Sequence, residues 1–235
     1  MKIPKLLPQL AFPLLLLASC HKSGGVNAPV SFNFVNAMTP AITVVPVFAT
    51  GPIQYYASAQ SIPGNSAYQY APSGGVNPLY IVKNTDTTHR IFSGSLSLGA
   101  GNIYSFFLSG DPSKPDTLLV QDNIPVYNDS SAGVRFVNLS PDSQPVKVNI
   151  KGNTPDQSEF SSLGYKQISA FKKYAAGSSV PGNHYIFELR DQASDSLLLT
   201  YTWTYTSYRT NTLALSGSAI KSTNIPLKIF QVNNY

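Results

Sequence analysis

The 235-residue chain has a single cysteine, one tryptophan and three histidines, and only 11% of its residues are charged. One cysteine, Cys20, excludes an intrachain disulfide and leaves no pair of thiolates for a zinc site. Charge is less than half the usual share of about 25%, while apolar residues reach 43%. The high-charge, weakly hydrophobic composition of disordered chains is therefore absent, and so is the Lys/Glu/Leu-rich composition of long helices. No stretch of 12 residues keeps a helical stripe free of breakers, so helix is expected to be scarce. Histidines in an H-x-x-x-H pattern, a G-x-S-x-G elbow and the fixed Asp/Asn spacing of a calcium loop are all missing. No metal or cofactor is expected on these grounds.

Polar uncharged residues fill the space left by charge, together with 14 Tyr, 12 Phe, 18 Pro and 16 Gly. Aromatic and β-branched residues on a chain punctuated by Pro and Gly favour strands. Val146, Val148 and Ile150 alternate with Lys147, Asn149 and Lys151. Tyr185, Phe187 and Leu189 alternate with Ile186, Glu188 and Arg190, and Tyr201, Trp203 and Tyr205 alternate with threonines. Strict period two puts one face of each segment in a core and the other in water. Many short strands with frequent turns predict an all-β chain of antiparallel, immunoglobulin-like β-sandwiches.

The N-terminus has its own logic. Lys2 and Lys5 precede a short Leu-rich run that Pro8 and Pro13 interrupt, the layout of a secretory signal peptide and too short for a membrane span. The run ends in Leu17-Ala18-Ser19-Cys20, which resembles the bacterial lipobox. That resemblance implies cleavage after residue 19, acylation of Cys20 and anchoring in a lipid bilayer, since each buried CH₂ contributes about 0.8 kcal/mol. Residues 20–30 read as a flexible tether. His21 stands where an Asp would resemble an inner-membrane retention signal, so the outer membrane is expected, with periplasmic or surface-facing orientation open. Loss of residues 1–19 lowers the formal net charge from +5 to +3, too little and too dispersed for a nucleic-acid binder.

Internal repetition follows the tether. Phe34-Val35-Asn36 recurs as Phe136-Val137-Asn138, and Tyr80-Ile81 as Tyr185-Ile186. Leu108-Ser109-Gly110 recurs as Leu215-Ser216-Gly217, and Gln121-Asp122-Asn123 resembles Gln231-Val232-Asn233. The four matches keep their order, as duplicated modules with small insertions would. The expected organisation is a β-sandwich module at 31–123, a turn-rich linker at 124–132 and a second module at 133–235, each able to fold alone. The segment from Phe136 to Ile150, with its F-V-N-x-S-P-D opening, resembles the domain of unknown function 4397. Gly164-Tyr165, Ser169-Ala170-Phe171 and Ala176-Gly177 before Tyr185 extend the resemblance, while the first copy lacks the Asp and the Gly-Tyr segment. The resemblance implies secreted or lipid-anchored β-sandwich modules and carries no activity and no functional residues.

Candidate chemistry is sparse. His89 lies in a polar turn and His184 at a strand start, so neither is singled out as catalytic, and the chain is expected not to be an enzyme. Lys166, Lys172 and Lys173, beside Tyr165, Phe171 and Tyr174, form the densest basic patch, to be weighed as an anion site or a solvated face. The best lead is aromatic: Tyr201, Trp203, Tyr205 and Tyr208 are the candidate binding residues for a glycan or an envelope protein. A non-catalytic binding or structural module is the expected function; a hydrolase, or an accessory subunit acting on glycans or cell-wall polymers, is the alternative.

Overall fold

A computed structural model describes residues 28–55, 59–154, 156–177, 180–220 and 224–234. Cys20 and most of the tether lie outside the described residues. The chain is all-β, its one helical element a short 3₁₀ turn at Pro181–Asn183 among the described residues.

In the first half, β1 (Ser31–Asn36), β3 (Ser66–Tyr70), β6 (Ile103–Asp111) and β7 (Lys114–Gln121) form a sheet in the order β3-β1-β6-β7. It faces a second sheet, β2-β4-β5, made of β2 (Val44–Val47), β4 (Gly75–Lys83) and β5 (Asp86–Leu98). The second half has the same order: β11 (Lys172–Tyr174), β8 (Ala132–Asn138), β14 (Thr210–Ser216) and β15 (Lys228–Asn233) form the sheet β11-β8-β14-β15. Its partner sheet, β10-β9-β12-β13, contains β9 (Val146–Ile150), β10 (Phe160–Leu163), β12 (His184–Asp191) and β13 (Leu197–Thr204). The strands are not antiparallel throughout, as the sequence had suggested. β1 pairs in parallel with β6, and β8 with β14. A parallel pair needs a long crossover, and each half supplies one by building its other sheet between the two partners.

Period two has its physical result in both cores. Phe32, Phe34, Phe106 and Leu108 meet Leu79, Ile81 and Leu98 in the first half. Phe136, Leu213 and Leu215 meet Val148, Phe187, Leu189 and Trp203 in the second. The repeated Asn does the same work twice. Asn36 donates from Nδ2 to the Ile62 carbonyl at 3.0 Å and accepts the Met38 N–H at 3.3 Å. Asn138 donates to the Leu163 carbonyl at 3.0 Å and accepts the Ser140 N–H at 3.0 Å. Each closes a turn behind the first strand of its half, satisfying buried backbone groups that would otherwise cost about 1–3 kcal/mol. The Asp of the signature is structural as well: Asp142 accepts the Ser218 hydroxyl and the Ala219 N–H, the latter at 2.8 Å, so it ties the loop after β8 to the chain leaving β14.

β1, β6, β8 and β14 are buried on both faces, because the halves pack sheet against sheet. Val35, Ala37 and Phe107 of the first half touch Val137, Leu139, Ala214 and Val232 of the second. Polar groups complete this seam. Arg135, 4% exposed, forms an ion pair with Asp122, 1% exposed, at 2.7 Å, and its Nε donates to Thr212 at 2.8 Å. Ser105 donates to the other oxygen of Asp122 at 2.6 Å. At one margin Lys166 reaches Asp116 at 2.7 Å; at another Ser216 donates to Asn65 at 2.5 Å.

Candidate functional site

The aromatic candidates on and just after β13 separate by burial. Trp203 is fully buried and its indole N–H donates to Asn211 Oδ1 at 3.0 Å. Tyr205 is 7% exposed and packs on Trp203 with ring centroids 5.9 Å apart. Tyr201 is half-buried against the same core. These three are corrected from binding platform to core: the alternation that placed them on one face placed them on the inner one. Tyr208 alone stands out in solvent, 61% exposed.

The basic patch is neutralised by its neighbours. Lys166 pairs with Asp116 at 2.7 Å, Lys172 with Glu159 at 2.5 Å and Lys173 with Asp129 at 2.6 Å. Phe171 is covered by the Arg135 guanidinium, 4.5 Å above its ring, and Tyr174 is buried with its hydroxyl on Glu159. Burial and that carboxylate push the Tyr174 phenol far above its ordinary range. Three lysines with three carboxylates offer no net field for an anion. His89 contacts Asp86 at 2.8 Å and Thr88 at 3.0 Å, both through Nδ1. A relay needs one ring nitrogen for the carboxylate and the other for the hydroxyl, so this cluster is a turn motif. Hydrogen bonds from Thr88 and from His89 hold Asp86 down to about 2. His184 bonds the Gly182 carbonyl at 2.8 Å. No group of three His, Cys, Asp or Glu side chains suited to a metal stands among the described residues.

Two of the hollows on the surface of the second half contrast in character. The larger, about 720 Å³, is walled by Leu197, Leu198, Ile220 and Leu227. Its hydroxyls are engaged, Ser218 with Asp142 and Ser196 with Ser194. The smaller, about 400 Å³, opens at the margin of the seam and has the opposite character. Gln69 comes from β3 of the first half, Gln231 and Asn233 from β15, Thr210 and Asn211 from β14. Thr206 and Arg209 come from the turn that joins β13 to β14. No carboxylate lines it.

Part of this lining is fixed and part is unsatisfied. Asn233 Oδ1 accepts from Asn211 at 2.9 Å and from Gln231 at 3.0 Å, which orients three amides around one oxygen. Thr210 Oγ1 is buried without a hydrogen-bond partner. Of the four arginines, Arg90 bonds a carbonyl and covers Tyr80, Arg135 pairs with Asp122 and Arg190 with Glu188. The Arg209 guanidinium has no ion-pair or hydrogen-bond partner among the described residues. Its backbone N–H closes the turn on the Thr206 carbonyl at 3.1 Å, and Tyr208 sits between them with φ +65. A bulky residue in that left-handed region is uncommon outside sites that require it. The turn is pinned by the Tyr208 N–H on the Ser131 carbonyl at 2.8 Å. Sequence reasoning reached Tyr208, the neighbour of Arg209 in the turn, and missed the residues that line the cleft, because Gln69 and Gln231 are 162 positions apart and only the seam joins them.

Residues 34–149 match the family described as Domain of unknown function (DUF4397). The match opens at the first Phe-Val-Asn and closes inside the signature that begins at Phe136, so it takes in the first half as well as the segment that carries the motif. No curated protein matches the chain. Among solved structures, the carbohydrate-binding module CBMbc (family CBM26) of Eubacterium rectale Amy13K, crystallised with maltoheptaose, is 8% identical, with a TM-score of 0.24. The alignment covers 87% of this chain and 97% of that one. The fimbrial anchor protein Mfa2 of Porphyromonas gingivalis is 10% identical over 88% of this chain and 100% of its own, with a TM-score of 0.21. Similarity this low carries no inference about ligand or partner.

Proposed function

We propose that this chain, whose residues 34–149 match a family without an assigned function, is a non-catalytic binding module of the cell envelope, anchored in the outer membrane through acylated Cys20, with a glycan or a protein as ligand. The observation that carries the reading is the seam cleft: amides, hydroxyls and one unpaired guanidinium converge on an open hollow lined by no carboxylate, histidine or cysteine. Such a lining can hold a ligand by hydrogen bonds, but it offers no group that transfers a proton near neutral pH. Its volume lies in the range of about 300–1,000 Å³ usual for small-molecule sites. The lipobox-like sequence supports the anchor.

Two measurements test the reading. The purified protein is screened against polysaccharides and peptides, and saturable binding without product formation is expected; release of new reducing ends or new peptide termini would favour the hydrolase instead. In cells, Cys20→Ala should abolish acyl labelling and move the protein out of the membrane fraction. Undiminished labelling would overturn the anchor.

A further inference from the structure

The geometry points to a saccharide bearing a carboxylate, of the uronic-acid type, as the ligand of the cleft between Gln69, Arg209 and Gln231. This rests on the binding reading and names the site and ligand class that the reading leaves open. Two features carry it. Arg209 is the one arginine of four without a partner among the described residues, and no acid lines the cleft to take it. A guanidinium presents a planar fork that matches a carboxylate in bidentate fashion, which a lysine cannot do. The surrounding donors and acceptors are neutral amides and hydroxyls, the chemistry that bonds ring hydroxyls. One cation with no cluster of backbone N–H groups is a poor match for a phosphate.

The second feature is the buried Thr210 hydroxyl, 2% exposed and without a partner. A buried hydroxyl left unsatisfied costs about 1–3 kcal/mol, and Thr210 is among the residues that line the cleft. Tyr208, the residue before Arg209, is held at positive φ in the turn that delivers it. The cleft also has a built-in reporter. Asn211 lines it and accepts the indole N–H of Trp203, the only tryptophan in the chain.

The test is a titration of the full chain with trigalacturonate, its methyl ester and the neutral glucan dextran, read by Trp203 emission and by calorimetry. Trigalacturonate is expected to bind saturably and to shift the emission, and the ester to bind about tenfold more weakly, as loss of a charge-assisted pair implies. Arg209→Lys, which keeps the charge but loses the fork, should weaken binding to a similar extent, and Gln231→Ala by less. Lys151→Gln, which removes an exposed cation elsewhere on the second half, should change nothing. Equal binding of acid and ester, undiminished binding by Arg209→Lys, or an equal loss in Lys151→Gln would each overturn the proposal. Binding of dextran or a peptide without trigalacturonate would overturn the ligand class and leave the binding reading standing. Cleavage of trigalacturonate would overturn that reading too.

Discussion

Trp203 shows how differently a residue can be used from what its type suggests. Its indole is wedged among Phe187, Tyr174, Tyr185 and Tyr205 and fixed by Asn211. Trp203→Ala is expected to cost about 3–5 kcal/mol, measured by urea unfolding, through the cavity it leaves. A loss within experimental error would mean that the aromatic cluster is not the core of this half. Arg135 and Asp122 make the companion case. Removing either partner alone strands a buried charge and should cost about 3–5 kcal/mol, whereas Arg135→Met with Asp122→Leu should cost much less than the two single losses together. Additive losses in that double-mutant cycle would show that the pair is not coupled.

At the scale of single elements, β9, β12 and β13 are the strands whose alternation was legible, and in each the alternate apolar residues, such as Val146 and Val148, Phe187 and Leu189, or Tyr201 and Trp203, pack on the core. β1, β6, β8 and β14 do not alternate, since both their faces are covered, and several of their polar residues are spent on the seam: Ser105 on Asp122, Arg135 on Asp122 and Thr212, Ser216 on Asn65. A near-continuous apolar run such as residues 103–108 of β6 is the signal of a strand buried twice. The repeated Leu-Ser-Gly ends of β6 and β14 also have a backbone reason. Gly110 and Gly217 adopt φ of +80 and +90, and a Cβ on Gly217 would meet the Pro226 carbonyl oxygen at 2.2 Å. Gly217→Ala should therefore destabilise by more than about 1 kcal/mol, while Gly51→Ala, where a Cβ meets nothing within 4 Å, should be near neutral in the same thermal melts. Equal effects at the two sites would contradict the strain argument.

For the whole molecule, the seam decides how the halves behave. A fragment of residues 133–235 has its own sandwich core, but it uncovers Val137, Leu139, Ala214 and Val232 and leaves Arg135 without Asp122. It is expected to be less stable than the same half in the intact chain, and to be rescued by adding a fragment of residues 28–131, as sedimentation and unfolding curves would show. Undiminished stability of the fragment alone would make the seam energetically idle. Acid acts on both the seam and the loops. Hydrogen bonds from Lys173 and Ser131 hold Asp129 to about 2, as Thr88 and His89 do for Asp86. Asp116 and Asp142 are pushed up by burial but pulled lower overall, by Lys166 and by Ser218 with Ala219. Carboxylates whose folded pKa lies below the ordinary value of about 4 stabilise fully above it and lose that stabilisation as pH falls toward 2. The urea midpoint should be level from pH 7 to 5 and decline below pH 4; a midpoint that rises on acidification would contradict these contacts.

Alternation, turn residues and scarce charge determined the strands, because side-chain direction in a strand is fixed by parity and needs no knowledge of the rest of the chain. The repeated Asn and Gly were legible for the same reason: each answers a local demand of the backbone. Which aromatics are covered, which lysines are already paired and which distant amides meet depended on how the sheets stack. Tyr201, Trp203 and Tyr205 share a parity, but only the opposing sheet makes their face the inner one. Lys166 is an isolated charge in sequence and becomes half of a bridge when Asp116 arrives from the other half. Gln69, Arg209 and Gln231 become one site because two sheets from different halves pack face to face, and no local pattern records that contact.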